Sequence, residues 1–379
     1  MQTSDFAPLT LFITGPTYVR QAVKDAAQLP EFGHRDKENA KRFEPIRGWL
    51  GDVAGGAEGY EPVIYNGSGS TAMESSIRSL VAEGETVLNV SVGAFGDLYH
   101  KMAVLNGKNA VQLKFAPGEA VDLGRLEQAI KEHAPAVVTC THNETSTGVT
   151  NDIAGICELA RRHGAMPLVD GVSIFGGADI LLEKARPAMY STSTQKSLAL
   201  PAGFGLAFVA PEAEEKAAKV QHRGHSSCIL NQLGRARKNQ TLTTPNCTLA
   251  NQLFVQLKYI VEEEGVQARF ARHAAMREQA LAWAAGLDGF EPFAPEGRRS
   301  PTLTCVRAPG GVTLDDLMAV KETMRGKGYL FDPGYKKLND ALTQDGQRMV
   351  FRVGHMGDIT PEMLAEYLDV LTGVLNTLG

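Results

Sequence analysis

Ser193-Thr194-Gln195-Lys196-Ser197-Leu198 sets a lysine in a run of small hydroxyl residues, just before the turn Pro201-Ala202-Gly203. Upstream, the apolar stretch Leu168-Val169 ends in Asp170. This is an odd setting for a solvated surface cation. Two readings fit it. Lys196 is a Schiff-base lysine holding pyridoxal 5'-phosphate, with Asp170 pairing the pyridine nitrogen, or it is a surface lysine at a strand end. The rest of the chain has to choose between them.

Around this stretch, short apolar runs alternate with amphipathic ones, the signature of an α/β protein. Strands are expected at Pro62–Tyr65, Thr86–Val90, Ala136–Thr141, Met166–Val169, Met189–Thr192 and Gly205–Ala210. Helical patterns lie between them at Ser70–Ala82, Leu123–Glu132 and Asp152–His163. A mainly parallel sheet follows, with ligands gathered at the carboxyl ends of its strands. Beyond residue 245 the pattern changes to helices at Thr248–Gly265 and Val266–Gly286 and a strand at Thr302–Arg307. A helix at Leu314–Lys327, strands at Tyr329–Phe331 and Arg348–Val353 and a last helix at Pro361–Leu378 complete it. The expected organisation is an N-terminal arm (1–15), a large α/β domain (16–250) and a smaller α+β C-terminal domain (251–379).

Several strand ends carry candidate chemistry. Asn66-Gly67-Ser68-Gly69-Ser70-Thr71 follows one strand and opens a helix, where backbone amides, hydroxyls and the helix N-terminus suit a phosphate. A plain helix cap is the alternative. His142-Asn143-Glu144-Thr145-Ser146-Thr147-Gly148 closes another strand with polar groups, of which Thr145 is placed to donate to a cofactor ring oxygen; a turn closing the strand accounts equally for Asn143 and Ser146. Phe95, between Gly93 and Gly96, is either a ring that stacks on a cofactor or a core aromatic. Val172 is the apolar candidate for the opposite face.

The net charge of −5 carries no basic excess, which argues against nucleic acid. Five cysteines, Cys140, Cys157, Cys228, Cys247 and Cys305, form no CxxC pair and suit reduced thiols in a cytoplasmic protein. No apolar run approaches the roughly 20 residues that span a bilayer, and Met1 to Pro8 lacks the regions of a signal peptide. The expectation is a cytoplasmic enzyme acting on small molecules, with no nucleic acid, membrane or metal partner.

Taken in order, Gly15-Pro16-Thr17, Gly67–Thr71, Gly93–Gly96, His142–Gly148, Asp170-Gly171-Val172-Ser173, Ser193–Lys196 and Phe351-Arg352-Val353-Gly354-His355-Met356-Gly357 resemble the class V aminotransferases, most of all their serine–pyruvate/alanine–glyoxylate group. The resemblance runs over nearly the whole chain. It implies fold type I of the PLP-dependent transferases, with a mainly parallel seven-stranded sheet and a smaller C-terminal α+β domain. It also implies pyridoxal 5'-phosphate bound through Lys196, with Asp170 on the ring nitrogen, Phe95 and Val172 on the ring faces and Thr145 at the ring oxygen. Ser68, Gly69, Ser70 and Gln195 would hold the phosphate, and Arg352 would clamp the substrate α-carboxylate. Thr244 matches a residue that in this family reaches the phosphate of the neighbouring subunit, so a homodimer with sites at its interface is implied. The implied reaction is ping-pong transfer between an amino acid, alanine or serine, and a 2-oxo acid, glyoxylate or pyruvate. Aspartate and 2-aminoethylphosphonate are the alternative donors.

The chain departs from the family at Thr241, where many relatives have an aromatic hydroxyl, and at Ser173-Ile174, where two serines are common. The connector Ala178 to Met189 is short and the loop Tyr335–Gln347 is long. Arg35, in Gly33-His34-Arg35, is read either as a substrate residue favouring an acidic side chain or as a partner of Asp36 or Glu38. A desulfurase would need a cysteine before the carboxylate-binding arginine, and Tyr329–Arg352 has none. His355 is read as structural.

Overall fold

Seven strands form the central sheet of the structure, a computed structural model that describes residues 8–377. They are β1 (Glu61–Gly67), β2 (Thr86–Ser91), β3 (Asn109–Lys114), β4 (Val137–Thr141), β5 (Met166–Asp170), β6 (Met189–Ser193) and β7 (Gly203–Val209). Their spatial order is β1-β7-β6-β5-β4-β2-β3. β7 runs against both its neighbours, and the remaining pairs are parallel. The middle strands are buried almost throughout, because helices cover both faces of such a sheet. Register aligns Thr141 with Asp170 and Asp170 with Ser191. The carboxyl ends of β4, β5 and β6 therefore make one continuous rim.

β3 is not among the strands expected from the sequence. It is the edge strand, exposed at both ends and half-buried between, so it lacks the apolar run that marks its neighbours. Two helices leave strand ends toward the rim: α1 (Gly69–Leu80) after β1 and α2 (Ala94–Leu105) after β2.

A second, three-stranded antiparallel sheet joins Glu291–Pro292, β8 (Leu303–Arg307) and β9 (Val350–Gly354). Helices Val266–Ala285, Leu314–Gly326 and Pro361–Leu375 build its core with Met276, Leu317, Met324, Phe351 and Tyr367. The expected helix Thr248–Gly265 is an α-helix over Cys247–Lys258 that loosens into a π-turn at Tyr259–Glu264. Gly265, at φ +80°, ends it. The expected long loop Tyr335–Gln347 is largely a helix, α3 (Lys336–Gln344). It buries only Leu338, Asn339 and Leu342, too few apolar positions to show a helical period. Asn339 fixes it by bridging the backbone N–H and C=O of Val350 at 2.9 Å each.

The chain start is tied to this second sheet. Thr10–Leu11 pairs with Tyr329–Leu330, and Gly354 N–H donates to Phe12 O at 2.8 Å. Residues 12–17 then run as a strap from β9 to Lys196. Residues 1–7 of the expected arm 1–15 lie outside the described residues, as does Leu378 of the expected last helix. Among the described residues no helix is long and apolar enough to cross a membrane.

Candidate active site

Lys196 follows β6 in a turn held from several sides. Its carbonyl accepts Thr17 Oγ1 at 3.1 Å, and Ala199 N–H closes back on it at 2.8 Å. The carbonyl of Ser197 accepts Nη2 of the fully buried Arg269 at 2.7 Å. Lys196 Nζ donates to the carbonyl of Thr14 in the strap. Gly15 sits there at φ +111°, and a Cβ on it would fall 2.6 Å from Lys196 Nζ. Only glycine lets the strap pass this close to the amine.

Burial holds the Lys196 ammonium down at about 8, with the Arg352 charge adding to the effect. A lysine so depressed carries a useful fraction of neutral, nucleophilic amine near neutral pH. Asp170, 2 % exposed, ends β5. Burial pushes its carboxyl up to about 7, against the Val172 N–H that donates to Oδ1 at 2.9 Å. A cationic pyridine nitrogen beside it would pull it back down and keep it ionised.

A cavity of about 310 Å³ opens between them, lined by Gly15, Pro16, Gly69, Ser70, Met73, Phe95, Asp170, Val172, Gln195, Lys196 and Ala202. The structure thus brings Lys196, Asp170, Phe95, Val172, Gly69, Ser70 and Gln195 onto one space. Lys196 Nζ lies 5.9 Å from the centre of the Phe95 ring. Ser68 caps α1: its N–H donates to Thr71 Oγ1 at 3.2 Å, and its carbonyl accepts Thr71 N–H at 2.9 Å. A Cβ on Gly69 would fall 2.3 Å from Val172 Cγ2, so glycine is required for the helix to start against the cavity wall.

These residues fit pyridoxal phosphate. The N-terminus of α1 faces the cavity with glycine and hydroxyl residues, as phosphate requires. Next to it, the Ser193 hydroxyl is buried without a hydrogen-bond partner and can donate. Such orphaned groups are costly unless a ligand satisfies them. Ser193 carries no role in the sequence reading; its signal was only its place in the hydroxyl run.

Arg352 lies on β9 opposite Cys305 of β8. Its Nη1 donates to Thr145 O at 3.0 Å and its Nη2 to Asp332 Oδ1 at 2.9 Å, while Nε is buried and unpartnered. Thr145 is buried. Glu144 emerges as a positioning residue that the sequence left unassigned. It is fully buried, and its carboxylate accepts Phe95 N–H (2.9 Å), Gly96 N–H (3.3 Å), Ser146 N–H (3.0 Å) and Ser146 Oγ (2.6 Å). It thereby caps α2 and fixes the start of the helix that carries Phe95. Burial raises its carboxyl, and the Ser146 and Phe95 contacts oppose that rise.

Five predicted residues are not part of the cavity lining: Ser68, Thr145 and Arg352, described above, and Arg35 and Thr244. Arg35 pairs with neither Asp36 nor Glu38; it donates to Gln240 Oε1 (3.0 Å), Thr241 O (2.8 Å) and Leu242 O (2.7 Å). Asp36 instead caps the helix Lys37–Val53 through Glu38 N–H. Thr244 is exposed, 3.4 Å from His34 Nε2, and its carbonyl accepts Asn66 Nδ2 at 2.8 Å. His355 is buried against Thr304 Oγ1 at 3.0 Å, and burial holds it neutral, down at about 3.

The family model described as aminotransferase class-V matches residues 20–324. An uncharacterized aminotransferase of Methanocaldococcus jannaschii is 31% identical over 356 residues, covering 92% of this chain and 87% of that protein. An L-aspartate–glyoxylate aminotransferase of Paracoccus denitrificans is 26% identical over 378 residues, covering 97% and 91%. The crystal structure of an alanine–glyoxylate aminotransferase from a Nostoc species superposes with a TM-score of 0.90 at 26% identity, covering 99% of this chain and 97% of that one.

Proposed function

The chain belongs to the class-V aminotransferases and uses pyridoxal phosphate, and from that premise we propose that it transfers the amino group of alanine or serine to glyoxylate or pyruvate by a ping-pong mechanism. The observation that carries this reading is the single cavity onto which Lys196, Asp170 and Phe95 converge beside the N-terminus of α1. Bound there, pyridoxal phosphate supplies an electron-withdrawing ring that stabilises the charge left on the substrate α-carbon. Asp170 holds the ring nitrogen protonated. Phe95 and Val172 confine the ring, and Ser68, Gly69, Ser70 and Gln195 hold the phosphate. Arg352 orients the α-carboxylate through its free Nε–H, and Thr145 positions the ring oxygen. Lys196 Nζ, displaced by the incoming amino group, takes the proton from the substrate α-carbon.

The partition into an arm, a cofactor domain ending near residue 250 and a C-terminal domain belongs to the same proposal. So does a homodimer in which Thr244 of one subunit reaches the other's phosphate. The exposure of Thr244 supports it. Five free thiols support a reducing, cytoplasmic setting. Aspartate as donor is the second reading, favoured by the likeness to the Paracoccus enzyme and requiring Arg35 to act across a subunit boundary. 2-Aminoethylphosphonate is disfavoured as donor, since it has no α-carboxylate for Arg352. Desulfuration is disfavoured too, because burial pushes the Cys305 thiol up to about 12 and thiolate is the reactive form.

Replacing Lys196 by alanine tests the core of this. The purified variant should lose both the visible absorbance of the lysine-bound cofactor and all transamination; retained absorbance would sink the assignment. A screen of amino acids for conversion of bound pyridoxal phosphate to its amine form then identifies the donor.

A further inference from the structure

Asp332 sits on the guanidinium that the substrate carboxylate is expected to use. Four donors converge on its two oxygens. Arg352 Nη2 (2.9 Å) and Gly334 N–H (3.1 Å) reach Oδ1, and Thr14 N–H (3.3 Å) and Thr14 Oγ1 (3.2 Å) reach Oδ2. The set is an arginine N–H, two backbone N–H groups and a hydroxyl, each placed to donate to a carboxylate oxygen. Both members of the pair are buried, Asp332 at 6 % and Arg352 at 9 % exposure, where a charge pair is screened little by solvent.

Arg352 therefore meets its substrate with its charge already balanced. Thr145 O takes one terminal nitrogen, Asp332 takes the other, and Nε–H remains buried and unpartnered. Among the described residues Lys196 is the only cationic side chain lining the cavity, and it is consumed in holding the cofactor. Arg35 of the same chain is committed to Gln240, Thr241 and Leu242. The remaining ionisable neighbours, Asp170 and Glu144, are acids. One carboxylate would find a donor at Nε; a second acidic group would find no uncommitted cation among the described residues of this chain and would face the carboxyl groups of Asp170, Glu144 and Asp332.

We propose that Asp332 is a specificity-determining residue, pinning and neutralising Arg352 so that the site takes amino donors and oxo acids with a single carboxylate and rejects dicarboxylic ones. This rests on the transaminase reading above. Thr14 extends the arrangement, since its N–H and hydroxyl hold Asp332 while its carbonyl accepts Lys196 Nζ. The residue that sets the clamp is thus tied to the reacting amine through one strap position.

The test compares L-alanine with L-aspartate in the amino-donor half-reaction of the holoenzyme, read as conversion of bound cofactor to its amine form. Asp332→Asn keeps an acceptor toward Arg352 and removes the charge. It should shift the alanine-to-aspartate preference toward aspartate by about tenfold or more, the equivalent of one modest charge interaction, while the resting spectrum is unchanged. Asp332→Glu, which keeps the charge, should keep the preference even where KM rises. A preference that moves less than about twofold in Asp332→Asn overturns the inference while leaving the transaminase reading intact. Failure of every amino acid to convert the cofactor in the unmodified protein overturns both. Should Asp332→Asn not fold, the unmodified holoenzyme decides. Propionate should compete with alanine about tenfold more tightly than succinate, and equal or tighter binding of succinate refutes the proposal.

Discussion

Replacing Lys196 by methionine should stabilise the cofactor-free protein at neutral pH. The folded protein carries the Lys196 ammonium at about 8, against 10.5 for an exposed lysine, chiefly through burial. The unfolded chain therefore binds more protons than the folded one between about pH 8 and 10.5, and the stability of the unmodified protein rises with pH through that window. Below pH 8 the penalty for the buried charge is complete. At about 1.4 kcal/mol per pH unit it amounts to about 3 kcal/mol at pH 7. Methionine fills similar space without charge but forfeits the hydrogen bond from Nζ to Thr14 O, worth about 1 kcal/mol. The net gain is about 2 kcal/mol at pH 7, falls to zero at about pH 10, and by pH 10.5, where the unfolded lysine is itself losing its proton, has become a loss of about 0.5 kcal/mol. Urea unfolding of the cofactor-stripped proteins at the two pH values, followed by tryptophan fluorescence, measures it. A methionine variant no more stable than its parent at pH 7, or a gain equal at both pH values, refutes the account of Lys196 as a charge held against its burial cost.

Two further predictions concern the groups around it. Arg352→Ala should raise KM for the amino donor on the order of 100-fold, from lost charged hydrogen bonds, while the dissociation constant for pyridoxal phosphate stays nearly unchanged; parallel loss of both would place Arg352 elsewhere. Glu144→Gln should cost about 2–4 kcal/mol in urea unfolding, because an amide has one acceptor for four donors and sets its own NH₂ against the rest. A cost under about 0.5 kcal/mol would mean that the capping of α2 lies elsewhere.

The convergence of Asp170 and Lys196 on one rim was legible because β5 and β6 are buried, apolar or small-residue strands that end abruptly in Asp170 and the turn holding Lys196. An α/β sheet sends such ends to one rim. β3 was illegible because an edge strand with half-buried sides shows neither an apolar run nor a clean alternation. α3 was illegible because three buried positions carry almost no period. Of the two readings of Arg35, the pairing with Asp36 or Glu38 is not what the fold makes: its partners lie about 205 residues away at Gln240 and Thr241. Asp332 was invisible for the same reason. Nothing local marks an aspartate before Pro333-Gly334 as the partner of Arg352, and only the pairing of Asp332 with β9 brings the two together. Glu144 could have been found, since an acid inside a buried polar strand end next to Thr145 needs donors, and α2 offers free amides.

The strap over Lys196 ties an early stretch of the polypeptide to a late one beside the candidate site. Phe12 is bonded to Gly354, and Thr14 to Asp332, 318 positions further along. A chain emerging from the ribosome has made Lys196, Asp170 and the phosphate loop long before it has made residue 354. Until then the strap has Leu330 and Asp332 to hold it but not Gly354, and the site lacks Arg352. The sheet is thus complete in a truncated chain while the pocket is not, and a fragment ending short of β9 would keep the rim of strand ends without Arg352, whose charge adds to the lowering of the lysine's proton affinity.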